Sequence, residues 1–151
     1  FGSYICVVDI DPKTYEIKIR RFIAIDDCGN IINPMIVEGQ IHGGLTQGLA
    51  PALFEELIYD EDGNILNGSL MDYLVPTAVE TPNWETDQTV TPSPHHPLGA
   101  KGVAESPTVG APPAIANAVI DALSHLGVES MGIPITPFKV WQVLKDKGLA
   151  A

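Results

Sequence analysis

Glu105 ends a glycine-rich stretch, Leu98-Gly99-Ala100-Lys101-Gly102-Val103-Ala104-Glu105-Ser106-Pro107, and its setting invites chemistry. Pro92, Pro94 and Pro97 precede it, and Pro107, Pro112 and Pro113 follow. Glycine lets backbone come close to another group, and proline stiffens the approach. A stiff loop presenting one carboxylate suits a positioned general base. The same residues also suit an ordinary strand-to-helix loop, with its acid near the helix start where the dipole favours negative charge. A second cluster follows Asn33-Pro34 on a helical pattern. Gln40, Gly44, Gln47, Gly48 and Pro51 fall within about a third of a turn of one another, at about 100° per residue. With Gly39 and Gly43 added, such a face would destabilise an exposed helix by roughly 1 kcal/mol per glycine relative to alanine. Something must press against it. A neighbouring helix would do so, and so would a large cofactor met by the amides of Gln40 and Gln47.

Other chemical templates are missing. No Gly-x-x-x-x-Gly-Lys-Ser/Thr phosphate loop occurs, and Gly43-Gly44 lies inside a helical pattern rather than after a strand. There is no Gly-x-Ser-x-Gly elbow. His42, His95, His96 and His125 match no His-Glu-x-x-His pattern, and adjacent His95 and His96 would point apart in an extended chain. No metal held directly by these side chains is expected. Cys28 and Ser106 have no partner histidine at a telling spacing. No motif places a second carboxylate to partner Glu105, which disfavours an acid hydrolase.

The elements that must position these residues can be read from periodicity and turn chemistry. Residues 4–10 and 15–26 read as strands, joined through Asp11-Pro12-Lys13-Thr14 as an antiparallel hairpin. Ile17, Ile19, Arg21, Ile23 and Ile25 alternate against Glu16, Lys18, Arg20 and Ala24 in the second strand. Asn33-Pro34 is a cap followed by proline at the first helical position, and a helix is predicted over about 34–56. Its apolar stripe is Val37, Ile41, Leu45, Leu49 and Leu53. A second, short hairpin is expected around Asp62-Gly63-Asn64, and a strand over 84–90. Ser106-Pro107 repeats the cap-then-proline signal. Val109, Ile115, Val119, Leu123 and Leu126 make a stripe interrupted by Pro112-Pro113, so the next helix is predicted over about 112–126, stopped by Gly127. A short last helix follows Thr136-Pro137. The predicted fold is α+β, a mixed or antiparallel sheet built from hairpins and packed against two main helices plus a short C-terminal one.

Composition narrows the classes. The 151 residues fit one domain. They are 45% hydrophobic and 18% charged, which argues against disorder. Nineteen acids against eight basic residues give a net charge of −11, so a nucleic-acid surface is not expected. Cys6 and Cys28 form no disulfide framework, and a reducing, cytoplasmic setting fits. No apolar run of about 18 residues could span a membrane. The start at Phe1-Gly2-Ser3, directly before a strand and without Met, predicts a chain that begins inside a domain.

Two motifs taken together carry a family resemblance. Val37-Glu38-Gly39-Gln40-Ile41-His42-Gly43-Gly44-Leu45-Thr46-Gln47-Gly48 is followed about sixty residues later by Gly99-Ala100-Lys101-Gly102-Val103-Ala104-Glu105-Ser106-Pro107. The pair resembles the C-terminal end of the molybdenum hydroxylase large subunit. This is the xanthine dehydrogenase and aldehyde oxidase family, and the wording is closest to the carbon monoxide dehydrogenase large-chain branch. Ile25-Asp26-Asp27-Cys28-Gly29-Asn30, Gly68-Ser69-Leu70-Met71-Asp72-Tyr73 and Ala114-Ile115-Ala116-Asn117 add to it, so the likeness spans nearly the whole chain.

The resemblance implies that residues 1–151 are a C-terminal segment of a molybdopterin-binding domain. Glu105 would be the base at molybdenum in hydroxylation of an aldehyde, N-heterocycle or similar small molecule by water, or in oxidation of carbon monoxide. Gln40 would lie beside the molybdopterin, in its cytosine dinucleotide form, with the backbone of Gly102 and Val103 near the metal. Gly44 and Gln47 belong to the same face. Iron–sulfur and flavin centres would sit on partner subunits of an oligomer. The family's earlier cofactor loops are missing here, so the 151 residues would form about one wall of the site and show no hydroxylase activity alone. The alternative is a non-catalytic assembly or ligand-binding module that keeps the fold.

Overall fold

The computed structural model describes residues 1–150. Its elements are β1 (Gly2–Ile10), β2 (Ile17–Asp26), α1 (Pro34–Leu53), β3 (Glu85–Gln88), α2 (Glu105–Ser124) and α3 (Pro137–Asp146). The sheet order is β1-β2-β3, with β1 antiparallel and β3 parallel to β2. The architecture is thus α+β with a mixed sheet, as predicted. Asp11 closes the first hairpin by accepting from the amides of Lys13 (2.7 Å) and Thr14 (3.0 Å). The expected second hairpin shrinks to one antiparallel bridge, Tyr59 with Ile65. There the Asn67 side chain takes over the pairing, accepting from the Ile58 amide at 2.9 Å and donating to the Glu56 carbonyl.

The first hairpin departs from simple alternation. Val7 pairs with Arg21 and Val8 with Ile19, so Arg20 is an extra residue in β2. Side chains swap faces there. Ile17 and Ile19 point inward, Arg20 and Arg21 both point outward, and Phe22, Ala24 and Asp26 are buried. The alternation read from the sequence, with Arg21, Ile23 and Ile25 in phase with Ile17 and Ile19, is therefore corrected. The two outward arginines pair separately, Arg20 with Asp9 at 3.3 Å and Arg21 with Glu85 of β3 through two bonds of 2.7 and 2.6 Å.

Asn33 caps α1, its side chain accepting from the Ile36 amide at 3.3 Å. The helix ends at Leu53 rather than about 56, and Ile41, Leu45, Leu49 and Leu53 bury its stripe. The start of α2 is a larger correction. It begins at Glu105, not near 112, and runs through Pro112 and Pro113. An interior proline disfavours a free helix by about 3 kcal/mol. Here packing overrides propensity, because Pro107 and Pro112 lie against Gly44 and Gly48 of α1. Val109 of the predicted stripe is exposed, and Pro107 and Ala111 hold the buried positions instead.

Both helices cover one face of the sheet, with α2 over β1 and packed against α1. Phe22, Leu45, Leu49, Ile115 and Val119 meet in the core, which α3 closes with Val140 and Leu144. Trp84 stacks edge-on against Phe22 and donates to the Thr46 hydroxyl at 3.3 Å, seating the approach to β3 on α1. No helix among the described residues is long and apolar enough to cross a membrane.

Candidate functional site

Glu105 is the first residue of α2 and is exposed. Ser106 does not cap this helix as its sequence suggested. The preceding Ala104 is already helical (φ −59°, ψ −39°), and no side chain caps the end. The Glu105 carboxylate makes no hydrogen bond or ion pair with any described residue. It lines a groove of about 580 Å³ between the first residues of β1 and α2, beside Phe1, Tyr4, Val109 and Asn117. Its negative charge lies at the positive end of a twenty-residue helix.

The glycine face of α1 divides in two. A Cβ on Gly44 would lie 2.6 Å from Cγ of Pro107 and 3.0 Å from the Ala104 carbonyl, and one on Gly48 would lie 2.7 Å from Cβ of Ala111. These two glycines let α2 approach, and the Thr108 hydroxyl donates across the seam to the Gly44 carbonyl at 3.3 Å. Gly39, Gly43 and Gly102 behave differently, since an added Cβ would meet nothing within 4 Å. Gln40 and Gln47 are exposed, and neither side chain bonds to a described residue. A neighbouring helix thus presses on this face at Gly44 and Gly48, while Gly39 and Gly43 face open space.

Gly44 sits in the α1–α2 seam, whereas Glu105 lines the groove between α2 and β1. Val103 lines a different hollow, of about 240 Å³, with Ile36, Val37 and Lys101. Gln40, Gln47 and Gly102 line neither concavity. Neither concavity gathers the six candidate residues, and Gly44 is buried in the helix seam.

The sequence did not single out the two carboxylates that hold this stretch. Asp26 and Asp27 are both 2% exposed. Asp26 Oδ1 accepts from the Ser106 hydroxyl (2.5 Å) and the Tyr4 phenol (2.6 Å), and those two hydroxyls are 2.7 Å apart. Burial and the Asp26 carboxylate push the Tyr4 phenol well above its ordinary range. Asp27 Oδ1 accepts from the amides of Gly29 (2.9 Å) and Thr91 (3.1 Å) and pairs with Lys101 Nζ at 2.7 Å, while Oδ2 accepts from the Thr89 hydroxyl at 3.1 Å. One carboxylate thus ties down the start of α2 and its neighbour ties down the segment leading to it. The available signal was two adjacent acids at a strand end before glycine, inside the Ile25–Asn30 motif that adds to the family resemblance.

Burial alone would raise the Asp27 carboxyl. The Lys101 ammonium, the Thr91 contacts and the Gly29 amide overcome that and hold it well below the usual carboxylate range. A depressed group contributes stability above its unfolded value, about 3.9, and loses it as pH falls through the folded one. The protein should therefore lose stability relative to an Asp27→Asn variant as pH drops below about 4. Acid unfolding of the two side by side checks this, and parallel curves would count against it.

Comparison with known proteins completes the description. The family model described as "Molybdopterin cofactor-binding domain" matches residues 1–82. The carbon monoxide dehydrogenase large chain of Hydrogenophaga pseudoflava is 61% identical over 150 residues, 99% of this chain and 19% of that protein. The nicotine 6-hydroxylase large subunit of Paenarthrobacter nicotinovorans is 44% identical over 144 residues, 95% of this chain and 18% of that protein. A crystal structure of Cu,Mo-CO dehydrogenase in its carbon monoxide reduced state superposes with a TM-score of 0.96 at 56% identity, covering 100% of this chain and 19% of that one. The chain spans about a fifth of the length of these relatives.

Proposed function

The chain belongs to the molybdopterin cofactor-binding domain family, and we propose that its surface around Glu105 is one wall of the active site of a molybdopterin-dependent oxidoreductase. The observation that carries this is a free carboxylate, Glu105, fixed at a helix start beside backbone left open at Gly102. On α1, Gly39 and Gly43 leave backbone open in the same way, next to two unpartnered amides, Gln40 and Gln47. These residues fit a large cofactor, because open glycine backbone and free amide groups are what such a group would cover. When bound, the cofactor supplies a two-electron redox centre.

The chain's own contribution is positioning and proton transfer. Glu105 accepts at its carboxylate a proton released as water is consumed in hydroxylating a small substrate or oxidising carbon monoxide. Gln40 and Gln47 present amide donors and acceptors to the cofactor, in its cytosine dinucleotide form, and the backbone of Gly102 and Val103 lies alongside. Gly44 acts at one remove, by letting α2 seat against α1. Relatives named for carbon monoxide and for nicotine both match most of this chain, which supports placing substrate choice in the rest of the large subunit.

Residues 1–151 form one domain-sized segment, completed by that remainder. Iron–sulfur and FAD-bearing partner subunits of an oligomer carry the electrons away. The free thiols of Cys6 and Cys28 suit a reducing, cytoplasmic setting.

The full complex should contain redox-active molybdenum and turn over. The purified 151-residue chain should retain no molybdenum and show no hydroxylase activity. Turnover by the isolated chain would sink the one-wall reading, and a full complex without molybdenum would point to the non-catalytic assembly module.

A further inference from the structure

Three oxygens from three separate elements meet beside Glu105: Asp26 at the end of β2, Tyr4 in β1 and Ser106 in the first turn of α2. We propose that this triad is a positioning lock that sets the stance of Glu105, a role that rests on Glu105 acting as the base. The start of α2 has no side-chain cap, so its first turn lacks the usual anchor. The Ser106 hydroxyl is directed instead to Asp26, across 80 residues of sequence. With Ser106 tied to the sheet, the neighbouring Cα of Glu105 has little freedom. Gly110 leaves room for the Tyr4 ring, which a Cβ there would overlap, so the ring is held against α2 itself.

A structural tie alone does not account for the choice of residues. Asp26 is buried, and its Oδ2 has no hydrogen-bond partner. The nearby cation, Lys101, is committed to Asp27. A buried carboxylate without a cation and with an unsatisfied oxygen is unfavourable, and an apolar contact would pack the same space more stably. Violations of this kind gather where a site needs a fixed direction rather than maximal stability.

The test uses the full complex, loaded with its cofactor. Ser106→Ala should lower kcat about 10–100-fold, with KM and molybdenum content near parental values. Tyr4→Phe should act in the same direction, and Ser106→Thr, which keeps the hydroxyl, should recover most of the loss. In a Glu105→Gln background, Ser106→Ala should remove no further activity, because the lock acts through Glu105. In cofactor-free protein, hydrogen exchange at the amides of Val109 and Gly110 should accelerate in Ser106→Ala, while the C-terminal half of α2 stays unchanged. Parental kcat in Ser106→Ala, or an equal further loss in the Glu105→Gln background, overturns the lock and leaves the base standing. Near-parental turnover in Glu105→Gln alone removes the base and the lock's role together.

Discussion

Glu105→Gln in the full, molybdenum-loaded complex is expected to cut turnover by about 10²–10⁴-fold, the usual contribution of a general base, or roughly 3–5 kcal/mol of barrier. The substitution keeps the shape of the side chain and removes only its ability to take a proton. Folding should be untouched. The side chain is exposed and bonds to no described residue, and such surface changes usually stay within about 0.5 kcal/mol. The useful result is therefore the combination of lost turnover, unchanged melting and unchanged molybdenum content. Turnover within a few-fold of parental would remove Glu105 from the chemistry.

Gly44→Val should show the largest structural effect. Its first added carbon alone would sit 2.6 Å from Cγ of Pro107 and 3.0 Å from a backbone oxygen that cannot swing away. Overpacking of this kind destabilises by about 1–3 kcal/mol. The opposing gain, from replacing glycine inside a helix, is at most about 1 kcal/mol and smaller for a β-branched residue, so the clash wins. Gly39→Ala gives the contrast. It lies on the same helix with nothing within 4 Å of the added carbon, so the propensity gain stands alone and stability should rise. Activity should fall with Gly44→Val beyond the loss of folded protein, since a shift of about 1 Å in a catalytic group can lower rate about 100-fold. Melting of both variants, with turnover corrected for folded fraction, decides it. A Gly44→Val protein as stable as Gly39→Ala would mean that the seam has more slack than the distances allow.

Both variants also mark where the sequence was legible. The two motifs identified the family, because Gly39-Gln40 and Gly102 to Glu105 are specific as a pair. The first hairpin was legible from alternation and from Asp11, and α1 from its cap and four-residue stripe. The start of α2 was not. Pro112 and Pro113 read as a barrier, and only contact with Gly44 and Gly48, sixty and more residues away, makes a helix through them acceptable. The glycine face was ambiguous for the same reason. Spacing shows that something approaches, and tertiary structure decides which glycines meet a helix. Asp26 and Asp27 were hidden because a buried carboxylate and a turn carboxylate look alike until their donors, Ser106, Tyr4, Thr89, Thr91 and Lys101, arrive from elsewhere in the chain.

The extra residue in β2 has a consequence for how this wall tolerates changes of length. Ile19 and Asp26 are separated by an odd number of steps, yet both face inward, because Arg20 absorbs one step of parity. Deleting Arg20 would leave an evenly alternating strand with the same inward set. A single insertion or deletion between Phe22 and Asp26 would instead put the sequence out of frame with the pleat and exchange the directions of the two adjacent carboxylates. Within one strand, the half far from Glu105 is buffered against such a slip, and the half that holds α2 is not.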